Sequence, residues 1–181
     1  MLGGALKEAR MELGLTQAFV AYKVNVSESL VKEWERGKRF IQDAMKPVLA
    51  RKIDCGKFYM ALKSLVTGGV SSPELDGPMV DKHRNIAVDK AVEEMLEAVE
   101  AIKNQKTLLY APPELATKET RETIRETILH QSVEALTGID NMIMWICSDY
   151  GISPAELWDM HHRELAEKGY TKERAATRAA R

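Results

Sequence analysis

The stretch "GLTQAFVAYKVNVSESLVKEWERG", Gly14 to Gly37, decides the fold. It holds two short helix-like runs broken at Lys23-Val24-Asn25-Val26. Thr16 is placed to cap the first run, and Val20 and Ala21 give that run an apolar side. Asn25 sits where a left-handed residue ends a helix, a conformation asparagine tolerates. Ser27 then caps the second run, and Val31 and Trp34, three apart, hold its face to the same core. Val24 and Val26 are too apolar for a free loop, so the turn between the runs packs inward. Two capped helices joined by a tight, buried turn form a helix-turn-helix.

Working outward, the chain is 181 residues long, 45% hydrophobic and 29% charged, enough to bury a core in one moderate domain or two small ones. No apolar run resembles a signal peptide or reaches the length of a membrane-spanning helix, which points to a cytoplasmic protein with no membrane partner. Cys55 and Cys147 are far apart and lack CxxC or Cys/His spacing, so neither a disulfide framework nor a zinc site is expected. His161 and His162 are neighbours and point about 100° apart on a helix, poor geometry for a shared metal. No metal or cofactor is called for.

The net charge of −1 hides an asymmetry. Met1 to Leu65 carries 12 Lys and Arg against 7 Asp and Glu, or +5; the remainder carries 14 against 20, or −6. A basic N-terminal part suits a polyanion, and the acidic remainder is repelled by one.

The segment "TGGVSSPELDGP", Thr67 to Pro78, clusters Gly, Ser and Pro and reads as a linker. The expected division is therefore 1–66 as the helix-turn-helix domain, 67–79 as linker and 80–181 as a helical bundle. In that bundle a helix from about Val80 to Gln105 carries Val88, Val92, Met95, Val99 and Ile102 at spacings of 4, 3, 4 and 3, a heptad seam suited to a dimer or to packing within a bundle. "YAPPEL", Tyr110 to Leu115, stops it. A second long helix from near Thr117 has a wide apolar face, with a possible break at Thr137-Gly138. A third is capped at "SPAE" by Ser153, with Pro154 at the first helical position and Glu156 completing a capping box, and it ends at Gly169. The alanine-rich basic tail reads as a short helix. With no strand pattern anywhere, the fold class is all-α: an N-terminal five-helix helix-turn-helix domain followed by a C-terminal helical hairpin or bundle.

The N-terminal third resembles the Cro and phage-repressor-type (XRE) helix-turn-helix family. "LKEARMELGLTQ" matches that family's first helix and the start of its second, "LTQ…VA…VNVS" its turn, and "S…V..WERGKR" its recognition helix and exit. The resemblance spans roughly Leu2 to Val66. It implies a role for each matched residue. Ala21 lets two helices cross closely and Trp34 anchors the core. Arg10 and Glu35 form a structural ion pair between the first and third helices. Gln17, Ser27, Lys38 and Arg39 contact DNA phosphates, while Glu28, Ser29, Lys32 and Glu33 face the major groove to read bases. Two features depart from the family pattern. Glu28 and Glu33 are acidic, unfavourable near phosphate unless they accept from cytosine N4. The usual proline after "GKR" is missing at Phe40-Ile41, and Pro47 makes the fourth helix start late or bend.

The implied function is a sequence-specific, double-stranded-DNA-binding transcriptional regulator or repressor of bacterial or prophage type, acting as a homodimer and not an enzyme. The competing expectation is an antitoxin-like or phage regulatory module whose C-terminal bundle binds a protein partner, with DNA binding secondary. A remote third follows from Glu93, Glu94, Glu97 and Glu100, which resemble the glutamate-rich helices of all-α, magnesium-dependent nucleotide pyrophosphohydrolases. The facing acids, Glu134 and Asp140, are six apart and not on one face, so a solvated face is the simpler reading.

Overall fold

The computed structural model describes residues 2–78, 80 and 84–171. Among them every regular element is helical, as the sequence pattern requires. The basic tail, expected as a short helix, lies beyond Thr171 and outside the described residues. The chain divides into two compact units: residues 1–65 together with 147–181, and residues 66–146. This grouping differs from the expected one at its far end, because the last helix belongs with the N-terminal unit.

The first unit contains α1 (Leu2–Glu12), α2 (Gln17–Lys23), α3 (Glu28–Glu35), α4 (Met45–Ile53), α5 (Gly56–Thr67) and α9 (Pro154–Glu167). Its core joins Leu6 and Ala9 of α1, Val20 and Ala21 of α2, Val31 and Trp34 of α3, Leu49 and Ile53 of α4, and Phe58 of α5. Val24 lies in that core and Val26 is half-buried, so the turn packs inward as its composition demands. Pro47 falls in the first turn of α4, where its missing N–H breaks no helical bond, so the helix starts late without bending.

Asp54 explains why α9 joins this unit. It ends α4 in the left-handed conformation, φ 49° and ψ 51°. Its carboxylate accepts from the Ser153 hydroxyl, from the Ala155 N–H at 2.9 Å and from the Tyr59 hydroxyl at 3.2 Å. A carboxylate thus sits at the positive end of α9 and satisfies one of its orphan donors. Ser153 itself caps α9 by accepting from the Glu156 N–H at 3.0 Å. One turn further along, Arg51 grips Asp159 with two bonds of 2.8 and 2.9 Å. The Tyr59 hydroxyl, half-buried beside Asp54, has its pKa pushed up by burial and by that negative charge.

The second unit contains α6 (Arg84–Gln105), α7 (Lys118–Thr123) and most of α8 (His130–Tyr150). The proline-rich break between α6 and α7 is two short 3₁₀ turns, Lys106–Leu109 and Pro113–Leu115. The long apolar helix does not break at Thr137-Gly138. Its irregularity lies earlier, where Ile124–Leu129 opens into a π-helical turn between α7 and α8. Gly138 has a packing role instead: a Cβ there would stand 3.4 Å from the Ala91 Cα, so α6 and α8 approach closely at that point. The buried row of α6 is Ala87, Ala91 and Ala98. The expected seam lies one position round the helix from it, with Val88 and Met95 half-buried and Val92, Val99 and Ile102 exposed.

Nor is the Gly/Ser/Pro segment loose throughout. Asn141, fully buried, donates to the Pro73 and Thr137 carbonyls and accepts from the Leu75 N–H, each at 2.9 Å. One side chain thereby ties residues 73–75 to α8.

Asn141→Ala should lower stability by about 2 kcal/mol, within the range for stranding buried polar groups, and should make 68–78 the first segment cut in limited proteolysis. A variant with parental stability and an unchanged cleavage map would show that Asn141 does not hold this segment.

Candidate nucleic-acid interface

The local sequence forms two capped helices and fixes the angle between them. Thr16 Oγ1 accepts from the Phe19 N–H at 3.1 Å, and Ser27 Oγ accepts from the Leu30 N–H at 3.2 Å. Asn25 turns the chain at φ 54°, and the Val26 N–H returns to the Ala21 carbonyl at 3.0 Å. Gly37, at φ 68°, ends the exit from α3. Contact between α1 and α3 is backbone-close: a Cβ on Gly3 would lie 1.9 Å from the Trp34 carbonyl oxygen. Only glycine fits there.

Arg10, Glu35 and Gln17 lock the three helices together. Arg10 Nε donates to Glu35 Oε1 at 2.6 Å and Nη2 to Oε2 at 3.1 Å, while Nη1 reaches the Leu15 carbonyl at 2.8 Å. Gln17 Nε2 donates to Glu35 Oε2 at 2.6 Å. The Glu35 side chain is 2% exposed and that of Arg10 14%. Burial pushes the Glu35 carboxyl up, but the bonds from Arg10 and Gln17, with the charges of Arg10 and Lys7, outweigh it and hold its pKa below the ordinary value. The Arg10 guanidinium is correspondingly held further protonated by its bond to Glu35.

This geometry gives Gln17 work that spacing did not reveal. Its amide N–H is directed into the ion pair, so any phosphate contact from this residue is left to its backbone or its other amide atoms. Only the partner atoms show this, since Gln17 and Glu35 are eighteen positions apart.

The residues matched to base reading lie together on α3. Glu28, Ser29 and Lys32 are exposed and Glu33 is half-exposed, on a helix whose opposite side buries Val31 and Trp34. Glu28 occupies the first turn, where its charge meets the positive end of the helix dipole. Glu33 stands 3.9 Å from Arg39, which offsets part of its charge. Ser27, Lys38 and Arg39 are exposed at the two ends of α3, the positions expected of phosphate contacts. Two aromatic rings passed over in that assignment, Tyr22 and Phe40, are more than 80% exposed, at the end of α2 and beside Arg39.

Among the described residues no group of three His, Cys, Asp or Glu is arranged to hold a metal ion, and no helix is long and apolar enough to cross a membrane. Of the four glutamates of α6, Glu93 and Glu94 both bond Lys90, at 2.9 and 2.8 Å.

A helix-turn-helix family model matches residues 6–40, covering α1 to the exit of α3. No curated protein and no solved structure matches the chain. The N-terminal part is therefore a DNA-binding helix-turn-helix of the Cro and phage-repressor (XRE) type, the kind found in transcription regulators.

Arg10→Ala should destabilise the protein by about 3 kcal/mol, because it leaves the Glu35 carboxylate buried without its main partner. The pH dependence follows from the depressed Glu35 pKa: its stabilisation is complete above the unfolded value of about 4.3 and is lost as pH falls through the lower folded value. Glu35→Gln should flatten that acid-side loss. Denaturant melts of the parent and Glu35→Gln at pH 6 and pH 3 check this, and parallel losses in the two proteins would remove Glu35 from the explanation.

Proposed function

We propose that the chain is a sequence-specific transcriptional regulator, of the type found in bacteria and prophages, which binds double-stranded DNA as a homodimer and has no catalytic role. The observation that carries this reading is the outward face of α3. Ser29 projects from its first turn and Lys32 from its last, Ser27 precedes them, and Lys38 and Arg39 follow, in the order base reading between phosphate clamps requires. A helix of eight residues reads a short site, and two copies on a two-fold axis double it. Affinity comes from counterion release at phosphates, and the +5 charge of the first 65 residues supports it. The place of work is then the cytoplasm, where such DNA lies. Because Glu93 and Glu94 share Lys90 within their own helix, they are poorly disposed to bind magnesium, which supports a reading without catalysis.

A second reading, a protein-interaction module with secondary DNA binding, is favoured by one observation. Glu28 and Glu33 put two carboxylates on the helix that is meant to approach phosphate. Acid groups there weaken DNA binding and suit a basic protein surface.

Binding of variants to a sequence selected from random DNA, and to a scrambled one, over a salt series separates the two. Ser29→Ala and Lys32→Ala should narrow the preference between the sites by about 1–3 kcal/mol. Lys38→Ala and Arg39→Ala should weaken both sites alike and each lower the salt slope by about one unit. If no sequence is enriched, or if Ser29→Ala and Lys32→Ala leave the preference intact while Lys38→Ala alters it, the interaction-module reading replaces this one.

A further inference from the structure

The exposed side of α6 carries more apolar surface than a solvated helix needs. Val92, Leu96, Val99 and Ile102 are 44%, 64%, 45% and 40% exposed, and Val88 and Met95 beside them are half-buried. The row runs next to the buried Ala87, Ala91 and Ala98, of which Ala91 meets Gly138 of α8. From Val88 to Ile102 it extends about 21 Å at the rise of an α-helix. It is long enough for a second helix to lie along it.

The charges at its two ends select the occupant. Asp89 lies at the N-terminal end of the exposed side and Lys103 at the C-terminal end, both exposed. Placed antiparallel about a two-fold axis near Met95 and Leu96, two copies of α6 set Val92 against Val99 of the second copy. The same pairing sets Asp89 against Lys103 of the second copy, twice over by symmetry. A parallel arrangement would oppose Asp89 to Asp89 and Lys103 to Lys103. Glu93 and Glu100 flank the row further out. Glu93 is already bonded to Lys90 at 2.9 Å, which reduces its repulsion of the opposing Glu100. Another exposed apolar row, Leu129, Val133 and Leu136, lies on the side of α8 away from Gly138; of the opposite charges flanking it, Asp140 is buried and Arg125 is paired with Glu126 at 2.8 Å.

We infer that α6 is a self-association surface, pairing antiparallel with α6 of a second copy through Val92, Leu96 and Val99 and held in register by reciprocal Asp89–Lys103 ion pairs. This names the dimer contact for the regulator proposed above and rests on that reading for its purpose, not for its geometry. Each hairpin would present one edge to its twin, giving a four-helix contact in which every residue of the row meets a symmetry-related apolar side chain.

Sedimentation equilibrium of the full chain without DNA tests the inference. The parent should be dimeric at micromolar concentration. Val92→Lys with Val99→Lys should give a monomer with an unchanged helical circular dichroism signal, since both sites are nearly half exposed. Asp89→Lys and Lys103→Asp should each weaken association by about three- to ten-fold, the scale of two exposed ion pairs turned repulsive. The double variant, with the charges exchanged, should recover parental association. That recovery discriminates even if the valine variant fails to fold. A monomeric parent overturns the inference, and so does a charge-exchanged variant that stays as weak as the single ones. A monomeric parent that still prefers its selected DNA site overturns this surface alone; a dimer with no DNA preference overturns the regulator reading alone.

Discussion

The buried contact of Arg10 and Gln17 with Glu35 is the constraint on which the recognition surface depends. Glu35 is the last residue of α3, Arg10 is near the end of α1, and Gln17 begins α2, so one carboxylate fixes all three helices. Net stabilisation is a poor measure of such a pair, because desolvation offsets much of the attraction. Its larger effect is geometric. A bidentate guanidinium bond tolerates little rotation, and Gly3 brings the α1 backbone against the Trp34 carbonyl at the other end of the same contact. With both ends held, Ser29 and Lys32 have a fixed direction relative to the core.

Much of the first unit was legible because its information is local. Caps sit within three residues of the N–H groups they satisfy, and Asn25 marks a left-handed turn where spacing alone asks for one. The Arg10–Glu35 pair could be read only through the family resemblance, since nothing in the sequence ties positions twenty-five apart. Gln17 shows where that guide ends. A matched position implied phosphate contact, while the atoms show its amide donating to Glu35.

The second unit and α9 were harder for two physical reasons. Hydrophobic periodicity ranks residues by size, so it traced the valine row, while helices within one bundle approach most closely on alanine and glycine. Ala87, Ala91 and Ala98 are the buried row, with Ala91 against Gly138, one position away from the heptad that the larger residues traced. The placement of α9 rests on Asp54 and Asp159, polar residues with no periodic signature, whose partners lie about a hundred positions away. The capping signal at Ser153 gave the start of that helix correctly and said nothing about which unit it would join. The Gly/Ser/Pro segment misled in the opposite sense. Its composition reads as free chain, but the buried Asn141 supplies the hydrogen bonds that a loop without a ladder needs.

Assigning α9 to the first unit leaves the charge division unchanged. Residues 1–65 with 147–181 carry 18 Lys and Arg against 13 Asp and Glu, or +5, and residues 66–146 carry 8 against 14, or −6. Phosphate binding by the basic unit weakens as salt rises, because counterion release loses its entropy gain. In the proposed pairing at α6, salt lowers the long-range repulsion between two acidic units and also weakens the exposed Asp89–Lys103 pairs, so the apolar row carries the contact. In the proposed regulator, then, the ionic conditions that loosen each copy's grip on DNA also lower the long-range repulsion between copies. Paired reading heads compensate for weaker individual contacts, because the second binds at the effective concentration set by the first. The separation of charge along the chain thus does more than keep the acidic unit away from phosphate. In the proposed dimeric regulator it would also set the balance between DNA binding by one unit and pairing through the other.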